Sequence, residues 1–142
     1  MILFDVNVLL NAHRVEQPDH ECARDLLERT VGDVRPFALS EFILSSFVHI
    51  ATHRRALNPP TPLGDALNFC EGLRTRPNAR IVAPGRRHWT LFADLCRRVE
   101  AVGNLAADAY LAALAIESGC EWISFDRDFA RFPGLNWRSP AD

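Results

Sequence analysis

Short apolar runs alternate along this chain with longer segments of helical period. The apolar stretch over residues 2–6 reads as a first strand, followed by a short helix near 7–13. Pro18-Asp19 opens a second helix that runs to about Thr30, with Leu26 and Leu27 on its buried face. Arg35 to Leu39 reads as a second strand. Ser40 is then placed to cap a helix from Glu41 to about Arg55 that carries Phe42, Ile43, Phe47 and Ile50 inward. The one strong break, Asn58-Pro59-Pro60-Thr61-Pro62, leads into a helix near 63–74, with Thr61 as its cap and Pro62 in its first turn. A short strand at Arg80–Ala83 and a helix from about Arg86 to Val102 follow. Gly103-Asn104 then breaks the chain before a strongly apolar helix, Ala106 to Ser118, which Gly119 ends. Glu121–Ser124 is a fourth strand, and a last short one is expected at Leu135–Arg138.

Strands that alternate with helices imply an α/β fold. The expected architecture has three α/β/α layers around a mostly parallel central sheet of four to five strands. No repeat, low-complexity tract or dividing linker interrupts the chain. Its 142 residues therefore read as one domain, 1–142, long enough to bury a single core. Ligands of such sheets bind at the carboxyl ends of the strands, so residues at those ends carry the functional weight.

Composition narrows the classes. The hydrophobic fraction of 48% and charged fraction of 24% suit a globular domain. No segment approaches the roughly 20 apolar residues of a membrane helix. The first residues lack a basic flank and carry an early acid, so no export signal is expected and the cytoplasm is the expected location. Cys22, Cys70, Cys96 and Cys120 are too far apart for a zinc or redox pair and read as buried free thiols. His49 and His53 stand four apart on a helix without a third ligand and read as surface residues. The formal charge of −2 does not mark a nucleic-acid binder. Every one of the 16 basic residues, however, is arginine, which makes bidentate phosphate contacts. Arg54-Arg55, Arg86-Arg87 and Arg97-Arg98, with Arg74 and Arg76, are candidates to line an RNA path.

Four acids gather at the predicted strand ends. Asp5 ends the first strand, Glu41 begins the helix after the second, and Asp126 follows the fourth by two residues. Asp108 lies in the first turn of the apolar helix that feeds the fourth strand. Each has a local alternative: Asp5 as a helix cap, Glu41 as a first-turn acid favoured by the helix dipole, Asp126 and Asp128 as ordinary turn residues. Asp108 is harder to explain away, because an ionised carboxylate among alanines and leucines is costly unless paired or bound to metal. Two carboxylates about 4 Å apart repel by roughly 4 kcal/mol at an effective dielectric near 20. With no lysine to compensate, a divalent cation is the economical answer. An all-carboxylate set selects Mg²⁺ or Mn²⁺ over zinc and suits phosphoryl chemistry.

Asp5-Val6-Asn7, Ser40-Glu41, Asn104-Leu105-Ala106-Ala107-Asp108 and Ser124-Phe125-Asp126-Arg127-Asp128-Phe129 resemble the four acidic motifs of PIN-domain ribonucleases. The closing stretch from Asp128 to Leu135 is similar to the ending of VapC-type toxins of bacterial toxin–antitoxin pairs. Each motif alone is weak; the ordered set covers essentially the whole chain. The resemblance implies a Mg²⁺- or Mn²⁺-dependent endoribonuclease that cuts RNA, often tRNA or rRNA, leaving 5′-phosphate and 3′-hydroxyl ends. It also implies a cognate antitoxin that holds the enzyme inactive, and a homodimer. Asp5 and Asp108 match the main metal ligands, with Glu41 and Asp126 as the further acids. Asn7 matches a residue that orients the first aspartate, and Ser124 the hydroxyl residue before the fourth acid. The fourth motif offers two acids: Asp126, nearer the strand end, is the favoured ligand, with Asp128 bracing the turn.

Other acid-edged folds fit less well. A haloacid-dehalogenase-type phosphatase needs a second aspartate where this chain has Asn7, and it needs a lysine; a receiver domain needs the lysine too. The alternative of another class is a catalytically inactive PIN-like module that only binds RNA or protein. That reading predicts a missing acid, and none is missing.

Overall fold

The computed structural model describes all 142 residues. Five short strands, β1 (Ile2–Phe4), β2 (Phe37–Leu39), β3 (Ala79–Ile81), β4 (Glu121–Ile123) and β5 (Trp137–Arg138), form one sheet in the order β3-β2-β1-β4-β5. All four strand pairs are parallel. β1 and β2 are apolar and buried because each is covered on both faces.

Six helices supply the cover: α1 (Val6–His13), α2 (His20–Gly32), α3 (Glu41–Ala51), α4 (Leu63–Arg74), α5 (His88–Val99) and α6 (Asn104–Glu117). The chain runs from β1 through β2 to β3 in one direction, then crosses back over β1 to reach β4 and β5. Right-handed crossovers put α1 to α4 on one face and α5 with α6 on the other. Helix packing agrees: α1 meets α2 and α3, α3 meets α4, and α5 meets α6. The strand order reverses between β1 and β4, and the crevice at such a point is where α/β sheets bind ligands.

The expected layers, parallel sheet and strand number are those observed. Several local expectations are corrected. Phe42 does not point inward and is 56% exposed. The Ser40 hydroxyl accepts from the Ile43 amide and sets a register that buries Ile43, Leu44, Phe47 and Ala51, leaving Phe42 about 100° off that face. Ile50 is half-buried. The helix ends at Ala51 rather than near Arg55, where the Thr52 hydroxyl and amide both turn back on the Val48 carbonyl. Thr61 does not cap α4. Its hydroxyl accepts from Arg14 Nη1 at 3.1 Å and its amide donates to the Ala51 carbonyl at 2.7 Å, tying the proline-rich loop to α1 and α3. Helix α5 starts and stops inside its expected limits, closing at Glu100 with a left-handed residue. Of the four free cysteines, Cys70 and Cys120 are buried, whereas Cys22 and Cys96 are partly exposed.

Candidate metal centre

Asp5 stands at the carboxyl end of β1 and is 5% exposed. Its Oδ1 accepts from the Val6 amide at 2.7 Å, so it does cap α1. Its Oδ2 accepts from the Ser124 hydroxyl at 2.6 Å and from Asn7 Nδ2 at 3.1 Å. Each carboxylate oxygen has two lone-pair sites, so capping with Oδ1 leaves that atom a second acceptor position. Helix cap and ligand are therefore compatible roles for one side chain.

Ser124 is the hub of this network. Its hydroxyl donates to Asp5 and accepts from Asn7 Nδ2 at 3.0 Å and from the Asp126 amide at 3.0 Å. One donor and two acceptor sites are the whole capacity of a hydroxyl, and all are used. Asn7 Oδ1 in turn accepts from the Phe125 amide at 3.3 Å. These bonds lock the end of β1 to the turn after β4, where the backbone also pairs Asp5 with Ile123. Ser124 and Asn7 therefore fix where the Asp5 carboxylate points.

Asp108, Asp126 and Asp128 converge, with carboxylate oxygens all within 4.8 Å of one another. Helix α6 begins at Asn104, after Gly103 in a positive-φ conformation (58°), two residues earlier than expected. Asp108 consequently opens the second turn rather than lying in the first. It is half-buried at the rim rather than sealed in an apolar sleeve, since the continuous buried run of α6 starts only at Ala112. Its carboxyl is still pushed up to about 6, first by burial and then by the charges of Asp126 and Asp128. Asp5 is likewise pushed up to about 6. Burial dominates there, the Ser124 and Val6 hydrogen bonds oppose it, and Asp108 and Asp126 add to it.

The turn is braced by Asp126, where Asp128 was expected to brace it. Asp126 Oδ1 accepts from the Asp128 amide at 2.9 Å and caps the 3₁₀ turn at Arg127–Arg131, so Asp126 braces this turn. Asp128 adds its carboxylate to the cluster alongside Asp126, and both reach the same space. Glu41 stands outside this trio. It is exposed at the start of α3, where its Oε2 meets Arg74 Nη2 at 3.1 Å, and Arg74 also pairs with Glu71. No arginine forms an ion pair with Asp5, Asp108, Asp126 or Asp128. Oxygen donors that crowd each other without a counter-charge fit a hard divalent cation. A cavity of about 720 Å³ opens at the opposite edge of the sheet among Met1, Arg29, Arg35 and Arg138, apart from these acids.

With this geometry in view, the likeness to known proteins is consistent. The PIN domain family matches residues 2–135. A VapC ribonuclease of Mycobacterium bovis, Mb2897, is 44% identical over 142 residues, covering 100% of this chain and 97% of that protein. Ribonuclease VapC25 of Mycobacterium tuberculosis is 39% identical over 140 residues, 99% of each chain. Among solved structures, VapBC2 of Rickettsia felis, bound to a DNA fragment from its promoter, superposes with a TM-score of 0.71 at 16% identity over 98% of both chains. VapC20 of Mycobacterium tuberculosis, a sarcin-ricin loop cleaving toxin, does so with a TM-score of 0.67 at 16% identity, covering 95% of this chain and 98% of that one. The fold is that of these structures. The chain belongs to the PIN-domain family, and within it stands with the VapC ribonucleases.

Proposed function

We propose that this chain is a metal-dependent endoribonuclease and the toxin of a toxin–antitoxin pair, cleaving RNA phosphodiester bonds at the crevice between β1 and β4. The observation that carries this reading is the uncompensated carboxylate trio Asp108, Asp126 and Asp128 beside the buried Asp5. Mg²⁺, or Mn²⁺ in its place, would be held by Asp5 and Asp108 with Asp126 and Asp128, and when bound it activates water and offsets charge on the leaving oxygen.

The protein's own residues do the rest. Ser124 and Asn7 hold the Asp5 carboxylate in one orientation, so it meets the ion without reorganising. Asp126 is fixed at its amide by Ser124 and at Oδ1 by the Asp128 amide, and so keeps its carboxylate in the acid trio. Glu41 completes the acid set from the rim of α3, where Arg74 sets its position. The products expected from water attack carry 5′-phosphate and 3′-hydroxyl ends.

The same reading includes a tRNA or rRNA target, a cognate antitoxin partner, a homodimer and a cytoplasmic location, as the resemblance to VapC-type toxins implies. VapC20 is described as cleaving the sarcin-ricin loop, and several structural neighbours are VapBC toxin–antitoxin assemblies. No helix is long and apolar enough to cross a membrane. The test is a gel of mixed cellular RNA incubated with the purified chain and Mn²⁺, with EDTA as control. Fragments that appear with the ion and vanish with EDTA are expected. RNA retained but uncut under both conditions would instead establish the inactive binding module.

A further inference from the structure

Four aromatic rings outside the acid cluster form a continuous ladder across the rim of the sheet. Phe42 on α3 lies 5.7 Å from Tyr110 on α6, Tyr110 lies 6.0 Å from Phe92 on α5, and Phe92 lies 5.3 Å from Trp89. The two ends of the ladder are open to solvent: Phe42 is 56% and Trp89 71% exposed. Phe42 and Tyr110 come from helices on opposite faces of the sheet, so they meet only by reaching over its carboxyl edge, where the acids are. Phe42 directly follows Glu41. Tyr110 leaves α6 about 200° around from Asp108, which aims the acid toward the turn after β4 and the ring toward α3 and α5.

Core packing does not account for the two ends, since a ring left in water contributes little to stability. Charge at the far end adds a second cue. Arg86 and Arg87, just before Trp89, are exposed and form no ion pair, and the nearby Glu117 carboxylate accepts from the Gly85 and Arg87 backbone amides. Open aromatic faces beside free guanidinium groups are the composition of a single-strand nucleic-acid platform, where bases stack and phosphates are neutralised.

We propose that this ladder is the base-stacking subsite for unpaired nucleotides flanking the cleaved bond, with Phe42 taking the base nearest the acids and Trp89, with Arg86 and Arg87, a more distant one. The proposal rests on the RNA-cleaving reading above and adds to it the specificity-determining surface. It predicts a preference for looped or single-stranded RNA, since only unstacked bases can lie on the rings.

The test uses the full chain in EDTA, so that no cutting occurs, and a short fluorescently labelled oligoadenylate as the probe. Anisotropy titrations compare the wild type with Phe42→Ala, Phe42→Trp and Trp89→Ala. Stacking contributions of this kind correspond to a loss of about five-fold or more in affinity for each alanine variant. Phe42→Trp should retain binding. An abasic site in the probe should weaken the wild type more than Phe42→Ala, because the ring has then lost its base already. Both positions are exposed, so thermal melts should show folded variants. Equal affinity of wild type and both alanine variants overturns the proposal. So does a switch from dimer to monomer in sedimentation with RNA affinity unchanged, which would make the ladder a contact between copies. Failure of the nuclease reading is distinct, since it appears as the absence of Mn²⁺-dependent fragments from the wild type.

Discussion

Replacing Asp5 by asparagine separates what this side chain costs the fold from what it contributes to the site. Its carboxyl is pushed from 3.8 up to about 6, chiefly by burial. Each pKa unit is worth about 1.4 kcal/mol, so holding Asp5 ionised at neutral pH destabilises the metal-free fold by about 3 kcal/mol. Asparagine removes that charge. It also loses something, because the three bonds to Asp5 all come from donors, the Val6 amide, the Ser124 hydroxyl and Asn7 Nδ2. The new amide nitrogen must face one end of that set, at about 1–2 kcal/mol. The net expectation in EDTA at about pH 8 is a variant more stable than the wild type by about 1–2 kcal/mol, a rise in Tm of several degrees for a chain of this size. The pH dependence fixes the sign. The folded state keeps the Asp5 proton up to about 6 while the unfolded chain releases it near 4, so wild-type stability falls as pH rises through that window. Asp108 contributes a fall in the same direction in both proteins, so the difference between them reports Asp5 together with its repulsion of Asp108. Below about pH 4 both side chains are neutral and the variant, short of a hydrogen bond, should be the less stable. Urea melts in EDTA at about pH 4 and about pH 8 measure this. A variant less stable at pH 8, or a stability difference that does not change with pH, would refute the reasoning. The same variant should lose RNA cleavage, so the carboxylate is kept at the expense of stability.

Asp108→Asn should abolish Mn²⁺-dependent fragments and shrink the rise in Tm that Mn²⁺ gives the wild type; full activity would remove Asp108 from the centre. Ser124→Ala deletes the hydroxyl that joins Asp5, Asn7 and Asp126, and should cost about 1–3 kcal/mol in denaturant melts together with most of the activity. Glu117→Gln should raise hydrogen exchange at the Gly85 and Arg87 amides, whose bonds hold the Glu117 carboxyl below its usual range, while leaving cleavage in place. Unchanged protection at those two amides would show that the loop before α5 is held otherwise.

What the chain discloses about its fold follows the physics of each signal. Alternating apolar strands and amphipathic helices are local, and so are Ser40 as a helix cap and Gly103 as a break, which is why the layers and helix order could be read from residues. Phe42 could not be placed. It belongs to an apolar pattern that fits two adjacent helix registers, and only the Ser40 bond to Ile43 with the packing of Leu44 and Phe47 chooses between them. Thr61 misled for a related reason: a threonine before Pro62 has cap chemistry, but Arg14, 47 residues away in sequence, takes its hydroxyl first.

The site divides along the same line. Asp5 was marked by its place at a strand end, Asn7 and Ser124 by family resemblance, and a parallel sheet with a switch point then has to bring β1 and β4 together. Which acid braces the turn depends instead on angles within it, and sequence order does not disclose these. Proximity to the strand favoured Asp126 as the ligand and Asp128 as the brace; the 3₁₀ turn takes Asp126 Oδ1 as its cap, while Asp126 and Asp128 both contribute a carboxylate to the trio with Asp108. Glu41 shows the complementary limit. Its neighbourhood depends on how α4 lies against α3, and Arg74 reaches it from the last turn of α4, 33 positions on in the chain. An acid facing an arginine at the rim differs physically from three acids facing one another. Within the proposed centre, Glu41 is therefore the member that must exchange a partner before it can meet an ion, whereas Asp108, Asp126 and Asp128 already lack any counter-charge.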